Sequence, residues 1–153
     1  MIEVLPVHLY LDPILSTICE PVTDFTGLEE LAASMLLTME KSNGIGLAAN
    51  QVGINKQIVV MNLENRTKKM VVVNPRILCY TKEKDSKTEG CLSCPGISVK
   101  VKRWLGVDVA FQNILGEKLQ YRFTDYDSRI FQHEWDHLNG VNISQRITMG
   151  KLK

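Results

Sequence analysis

The segment HEWDH, His133 to His137, places two imidazoles four residues apart. On a helix, positions i and i+4 lie on one face, so both side chains can reach one metal ion. Glu134 lies beside the first histidine, where a carboxylate can take a proton from a water molecule acidified by the metal. Such a pattern also arises by chance, but the chain has only three histidines and two of them occupy these positions. We therefore interpret His133 and His137 as metal ligands and Glu134 as a general base.

Two histidines do not complete a metal site, and the segment EGCLSCPG, residues 89–96, offers Cys91 and Cys94 as further ligands. A carboxylate could serve instead. If both cysteines bind, the protein has a closed structural zinc site and is an interaction module without catalysis. Three features disfavour this alternative. The ligand pairs lie much farther apart in sequence than the roughly dozen residues of small zinc fingers, a closed site has no use for Glu134, and a chain of 153 residues can fold without a metal.

A third segment, GIGLAANQ at residues 44–51, is rich in glycine and alanine. These small residues allow another backbone or a ligand to approach closely. We interpret Gly44 as the end of the preceding helix and the rest as a tight loop. The side-chain amide of Gln51 can donate hydrogen bonds, so we predict that Gln51 belongs to the site.

Two helices are predicted to position these segments. The apolar periodicity of residues 24–43 predicts an amphipathic helix that Asp24 or Thr26 caps and that ends at Asn43–Gly44. The second predicted helix begins at Thr124 and ends at Gly140, with Asp127 completing a capping box.

The middle of the chain is predicted to be mostly strand, because β-branched residues are frequent there. The predicted strand regions are residues 57–63, 69–80, 97–112 (two strands) and 116–123, with a polar turn at 64–68. The fold class is therefore α+β, with mostly antiparallel strands around the metal-binding helix and an additional N-terminal helix.

Composition and charge are those of an ordinary globular protein. Apolar residues make up 44% and charged residues 23% of the 153 positions, which suits a single domain over 1–153. The net charge of +1 argues against nucleic acid or anionic lipid as a partner, and we interpret the basic run at Lys100, Lys102 and Arg103 as solvated. The N-terminal sequence does not resemble a signal peptide and no segment is long and apolar enough for a membrane span, so reduced cysteines in a cytoplasmic protein are expected.

Together, GIGLAANQ, EGCLS and QHEWDHLNG resemble the three signature motifs of the peptide deformylases, in the same order and with typical spacing. Weaker similarity extends through DPILSTICEPV and VVVNPRI. The resemblance implies one catalytic domain over residues 1–153. It also implies a metal-dependent hydrolase that removes the N-formyl group from the formyl-methionine of newly made polypeptides and releases formate. A conventional zinc peptidase shares HExxH, but an upstream cysteine ligand is not its pattern.

The resemblance also implies roles for individual residues. Cys91, His133 and His137 bind one divalent metal, which is expected to be Fe²⁺, with Ni²⁺, Co²⁺ or Zn²⁺ as substitutes. The metal-bound water attacks the formyl carbon while Glu134 acts as general base and then as general acid. The formyl oxygen, as it becomes an oxyanion, accepts hydrogen bonds from the side chain of Gln51 and the backbone N–H of Leu92.

Substrate-binding residues follow from the same resemblance. The peptide is expected to lie as an extended strand against Ile45–Gly46 and Gly90. The methionine side chain is expected to meet Tyr126, Arg129 and Ile130, which precede His133 on the helix; Arg129 could alternatively point to solvent.

Four residues near the motifs need a separate interpretation. Cys94 stands where the family usually has an aliphatic residue, so we interpret it as a small apolar filler; a disulfide with Cys91 after loss of the metal is the alternative. We expect Asp136 to form an ion pair with Arg103 and Trp135 to pack in the core.

The segment VNISQRITMGKLK after Gly140 is too short for the long C-terminal helix with which many bacterial relatives dock on the ribosome. Ribosome docking by this route is therefore not expected, and a phage-encoded or otherwise compact form is suggested. The expected partner is the N-formyl-methionyl nascent peptide, with no direct nucleic acid or membrane partner. We expect a monomer in the bacterial cytoplasm, or in the host cytoplasm for a phage protein.

Overall fold

The computed structural model describes residues 1–146, and in this part of the chain seven strands and two long helices form the fold. The strands are β1 (Gly46–Ala48), β2 (Ile58–Asn62), β3 (Lys68–Tyr80), β4 (Lys84–Cys91), β5 (Cys94–Trp104), β6 (Gly106–Gln112) and β7 (Lys118–Thr124). Five of them make an antiparallel sheet in the order β1-β2-β3-β6-β7, and β4 and β5 make a separate two-stranded ribbon. The first helix is Leu28–Lys41 and the second helix is Asp125–Leu138. The predicted α+β class is confirmed.

Strand β2 is buried on both faces and holds the two helices on opposite sides of the sheet. Val59 and Met61 pack in one apolar cluster with Phe131 of the second helix. Ile58 and Val60 pack on the other face, in the cluster that includes side chains of the first helix. Burial on both faces explains why this strand is a continuous apolar run rather than an alternating one.

The first helix begins later than predicted. Its N-cap is Gly27, whose φ of 74° lies in the left-handed region, and neither Asp24 nor Thr26 caps it. Asp24 instead accepts a hydrogen bond from the backbone N–H of Thr26 at 2.9 Å, which stabilises a turn before the helix. The predicted end is confirmed, because Asn43 has a φ of 57° and the N–H of Gly44 bonds to the carbonyl of Met39.

The second helix begins after Thr124 and ends before Gly140, as predicted. The predicted capping box is wrong, however, because the Thr124 side chain makes no capping hydrogen bond. The Asp127 carboxylate accepts a hydrogen bond from the backbone N–H of Glu64 at 3.0 Å instead. This contact ties the first turn of the helix to the β2–β3 turn.

Two strands around the site were absent from the prediction. GIGLAANQ is not a simple loop: β1 pairs with β2, with Leu47 opposite Val60, and residues Ala49–Val52 form a 3-10 turn. Residues of β4 are mostly polar and pair with β5 along the ribbon. No sequence pattern predicts these two strands, because β1 is only three residues long and β4 has few apolar residues.

A buried ion network joins the ribbon to the second helix. The side chain of Arg103 is only 4% exposed, so the prediction that it is solvated is wrong. Its guanidinium donates to both carboxylate oxygens of Glu89, at 2.8 and 2.9 Å. It also donates to Asp136 at 2.6 Å, which confirms the predicted ion pair. Arg129 of the second helix donates to Glu89 as well, at 2.7 Å.

None of the helices within residues 1–146 has the length and apolar character that crossing a membrane requires. Most of the predicted short tail, residues 147–153, lies outside the described residues.

The buried network predicts a large stability difference between two arginine variants. Arg103→Met should lower the free energy of unfolding by about 3 kcal/mol, because the buried Glu89 carboxylate loses two of its hydrogen bonds and the Asp136 carboxylate loses one. Arg122→Met is the matched control, since Arg122 forms an equally short ion pair with Asp108 but has a 60% exposed side chain. Its loss should be below about 1 kcal/mol. Urea denaturation of both variants checks this, and equal losses would contradict the prediction.

Candidate metal and active site

The second helix and the end of β4 bring three metal-binding side chains together. His133 and His137 lie one helical turn apart, with ring centroids 5.0 Å apart. Cys91 is the last residue of β4, and its Sγ lies 3.2 Å from Nε2 of His137. One ligand atom from each of the three residues lies within 4.8 Å of the others. A thiolate with two imidazoles is a suitable donor set for a divalent transition metal.

The side chain of Cys94 is placed differently. Among residues 1–146, the group that could hold a metal consists of Cys91, His133 and His137. Cys94 is 1% exposed and packs with Val99, Val101 and Ile143. The described geometry therefore supports three protein ligands rather than the closed set of the structural zinc alternative.

A contact outside the ligand group orients the ring of His133, and another holds the backbone of His137. Nδ1 of His133 lies 3.0 Å from the Glu89 carboxylate, which leaves Nε2 as the ligand atom. Burial by itself raises the pKa of Glu89, but hydrogen bonds from Arg103 and His133 outweigh burial and lower that pKa to about 2. For His137, the backbone carbonyl accepts a hydrogen bond from the Asn50 side chain at 2.6 Å. Burial lowers the pKa of His137 well below its usual value, so the imidazole is neutral and can act as a ligand.

The carboxylate of Glu134 is buried, and one of its oxygens, Oε1, has no hydrogen-bond partner in residues 1–146. Burial raises the pKa of Glu134 to about 7, and the nearby charge of His133 opposes the rise. Oε2 lies beside Gly46, where an added Cβ would be only 2.5 Å away. Glycine at this position of β1 is therefore required by the position of Glu134.

Both polar atoms of the Gln51 side-chain amide form hydrogen bonds. Its Oε1 accepts a hydrogen bond from the backbone N–H of Ala48 at 2.9 Å. Its Nε2 donates to the hydroxyl of Ser93 at 3.0 Å and lies 3.6 Å from Sγ of Cys91. The amide nitrogen is thus fixed beside the metal-binding thiol. Leu92 follows Cys91 in the turn between β4 and β5.

A cavity of about 480 Å³ opens between β1, the ribbon and the second helix. Most of the predicted substrate-binding, catalytic and metal-binding residues line it: Ile45, Gly46, Gln51, Gly90, Cys91, Leu92, Tyr126, Ile130, His133 and Glu134.

The side chain of Arg129 does not line this cavity. Its side chain is 4% exposed, and its guanidinium donates to Glu89, Asp85 and the carbonyl of Val101. The prediction that Arg129 meets the methionine side chain is therefore wrong, and so is the solvent-exposed alternative.

Sequence reasoning missed Glu89 and Ser93, which orient His133 and Gln51. A signal was available for Glu89, because a ligating histidine commonly donates its second N–H to a carboxylate. For Ser93, the nearest signal was its place beside Cys91 and Leu92 in the same motif.

Known proteins resemble this chain over almost its full length. The family model described as Polypeptide deformylase matches residues 4–153. A peptide deformylase of Thermotoga neapolitana is 42% identical over 146 residues, covering 95% of this chain and 88% of that protein.

Solved structures show the same agreement. A class I type b peptide deformylase from Acinetobacter baumannii superposes with a TM-score of 0.90 at 37% identity, covering 94% of this chain and 99% of the other. The peptide deformylase of Thermotoga maritima superposes with a TM-score of 0.90 at 38% identity, covering 94% and 97%. The resemblance stated from the three motifs is confirmed, and the chain belongs to the polypeptide deformylase family.

Proposed function

We propose that this protein hydrolyses the N-formyl group of the N-terminal formyl-methionine of newly made polypeptides and releases formate. The observation that carries the proposal is the buried Glu134 carboxylate, which lines the same cavity as Cys91 and His133 and has one oxygen without a partner in residues 1–146. The names of the relatives point to the same reaction. We further propose that residues 1–153 form one catalytic domain.

Cys91, His133 and His137 would hold a divalent metal, which we infer to be Fe²⁺, with Ni²⁺, Co²⁺ or Zn²⁺ as substitutes. The metal would supply Lewis acidity, lowering the pKa of a water molecule and polarising the formyl carbonyl. The site would retain the metal because both histidine ligands are held in place. Glu89 orients His133, and Asn50 holds the backbone at His137.

Glu134 would carry the proton between water and the departing amine. Its free Oε1 can accept a proton from the attacking water and then return it to the amine nitrogen, so that one carboxylate serves both steps. Burial in the cavity wall removes competing solvent from this carboxylate and keeps its pKa near neutrality.

Two N–H donors would bind the formyl oxygen as negative charge develops on it. The Gln51 amide cannot rotate freely, because Ala48 and Ser93 hold its two ends. The backbone N–H of Leu92 is the second donor. A fixed donor of this kind is worth about 3–4 kcal/mol in other hydrolases.

The peptide would bind as an extended strand against Ile45–Gly46 and Gly90, which all line the cavity. Ile130, 5% exposed, would contact the methionine side chain together with Tyr126, whose ring is about half exposed. An apolar wall with an adjustable aromatic side chain suits an unbranched thioether.

Glu134→Gln should keep the metal and lose turnover, because the amide cannot accept the proton. We expect a loss of 10²-fold or more in formate release from a formyl-Met tripeptide, measured anaerobically with nickel-loaded protein. Metal content by elemental analysis is the control. Normal turnover by the variant would exclude Glu134 as the general base. No turnover by metal-loaded wild type would favour the structural zinc alternative, and cleavage of internal peptide bonds would indicate a conventional zinc peptidase.

Cys91→Ser should weaken metal binding, because a hydroxyl is a poor substitute for a thiolate ligand. The expected result is an increase of at least tenfold in the dissociation constant for the metal, measured by competition with a chelator. Cys79→Ser is the matched control, since Cys79 is exposed on β3 and contacts Asp108. Unchanged affinity in Cys91→Ser would count against the assigned ligand.

Gly46→Ala should displace Glu134, because the added methyl group would lie 2.5 Å from its Oε2. We expect a fall in kcat of more than tenfold with the metal retained, and a loss of about 1–3 kcal/mol in the free energy of unfolding. A double-mutant cycle with Glu134→Ala tests the cause, since removal of the carboxylate should restore most of that stability. Equal stability losses in both backgrounds would exclude steric conflict with Glu134.

A further inference from the structure

Cys91 and Cys94 face each other across the turn that joins β4 to β5. Only Leu92 and Ser93 separate them, and the two cysteines are paired in the register of the ribbon. Directly opposed residues of antiparallel strands have Cα atoms roughly 4.5–5.5 Å apart and side chains on one face. This separation lies within the range of roughly 4.4–6.8 Å that a disulfide requires.

The two thiols differ in their access to solvent. Cys91 is partly exposed and lines the cavity, so a small oxidant that enters the cavity can reach its sulfur. Cys94 also lines the cavity, but it is only 1% exposed and its side chain packs among apolar residues. The exposed thiol therefore reacts first, and the shielded thiol stays reduced beside it.

The other two cysteines lack this arrangement. Cys19 is buried in the core between the sheet and the second helix, and Cys79 lies exposed on β3 beside Asp108. All four cysteines are free thiols in the structure.

We propose that Cys94 is a resolving cysteine, which converts peroxide-oxidised Cys91 into a reversible Cys91–Cys94 disulfide. In the first step the Cys91 sulfur attacks hydrogen peroxide; an S–O bond forms, the O–O bond breaks, and one oxygen leaves as water. In the second step the Cys94 sulfur attacks the sulfenic acid of Cys91; the S–S bond forms, the S–O bond breaks, and the hydroxyl leaves as water with the remaining thiol proton. Two thiols lose two electrons and two protons, and the peroxide is reduced to two waters.

The disulfide would switch off the metal site without destroying it. A disulfide sulfur is a poor ligand, so the metal loses one of its three protein ligands and leaves. A thiol reductant restores Cys91, whereas a sulfenic acid without a neighbouring thiol is oxidised further to sulfinic and sulfonic acids, which such reductants do not reverse. Formation of the bond does not depend on the proposed reaction; only its effect on turnover does.

The test compares nickel-loaded wild type, Cys94→Val and Cys79→Ser after treatment with hydrogen peroxide. Free thiols are blocked with N-ethylmaleimide, and the peptide that contains both cysteines is analysed by mass spectrometry. Wild type and Cys79→Ser should yield the Cys91–Cys94 disulfide, release nickel to a colorimetric chelator, and bind it again after reduction. Cys94→Val should accumulate sulfinic or sulfonic acid at Cys91 and recover less than a tenth of its nickel binding.

Two results would overturn the proposal: sulfinic or sulfonic acid at Cys91 of the wild type with no disulfide, or equal recovery of nickel binding in Cys94→Val. The wild-type measurement needs no variant, so it decides the question even if Cys94→Val does not fold. A wild type that forms the disulfide after peroxide treatment, but releases no formate as the reduced, nickel-loaded protein before treatment, would refute the proposed function and leave this inference intact.

Discussion

The site depends on the hydrogen bonds that the Glu89 carboxylate accepts. Glu89 is 8% exposed and accepts hydrogen bonds from Arg103, Arg129 and His133. A buried carboxylate is costly unless it is fully paired, and here hydrogen bonds on both oxygens keep it ionised. Because its partners belong to β5 and the second helix, the same carboxylate holds the ribbon against the helix. It thereby sets the distance between Cys91 on one element and His133 on the other.

Small residues and buried polar groups meet at the other side of the site. Gly46 lets β1 pass directly beside Glu134, and Gln51 reaches the thiol from the turn that follows β1. Oε1 of Glu134 and Nδ1 of His137 are buried without a hydrogen-bond partner in the described residues. Unpaired buried groups destabilise a fold by about 1–3 kcal/mol each. Because Glu134 lines the cavity, its unpaired oxygen is consistent with use in catalysis rather than in stability.

The apolar core supports this polar site by fixing the second helix. Phe131 stacks on Phe123 of β7 at 4.9 Å, and both side chains are fully buried. On a neighbouring face the helix presents Ile130, His133 and Glu134 to the cavity. One helix therefore contributes to the core and to the active site at once. A shift of the helix along its axis would disturb both the aromatic packing and the ligand geometry.

Sequence alone determined the features that depend on local spacing. The histidines of HEWDH face one point because helical periodicity places them there, and the β-branched run of β2 forms a strand because such residues pack well on a sheet. The order of three short motifs was enough to indicate the family. These features need only neighbouring residues, so a linear pattern carries them.

Only the tertiary structure decided which charges are buried and which elements meet. Arginine side chains are usually exposed, yet those of Arg103 and Arg129 are buried and donate hydrogen bonds to Glu89. They lie 14 and 40 residues from Glu89 in the sequence. Strand β4 forms because β5 pairs with it, and Asp127 binds Glu64 instead of capping its own helix. In each case the deciding partner is remote in sequence. The stability of a buried charge or a short polar strand depends on that partner, and no local pattern reveals it.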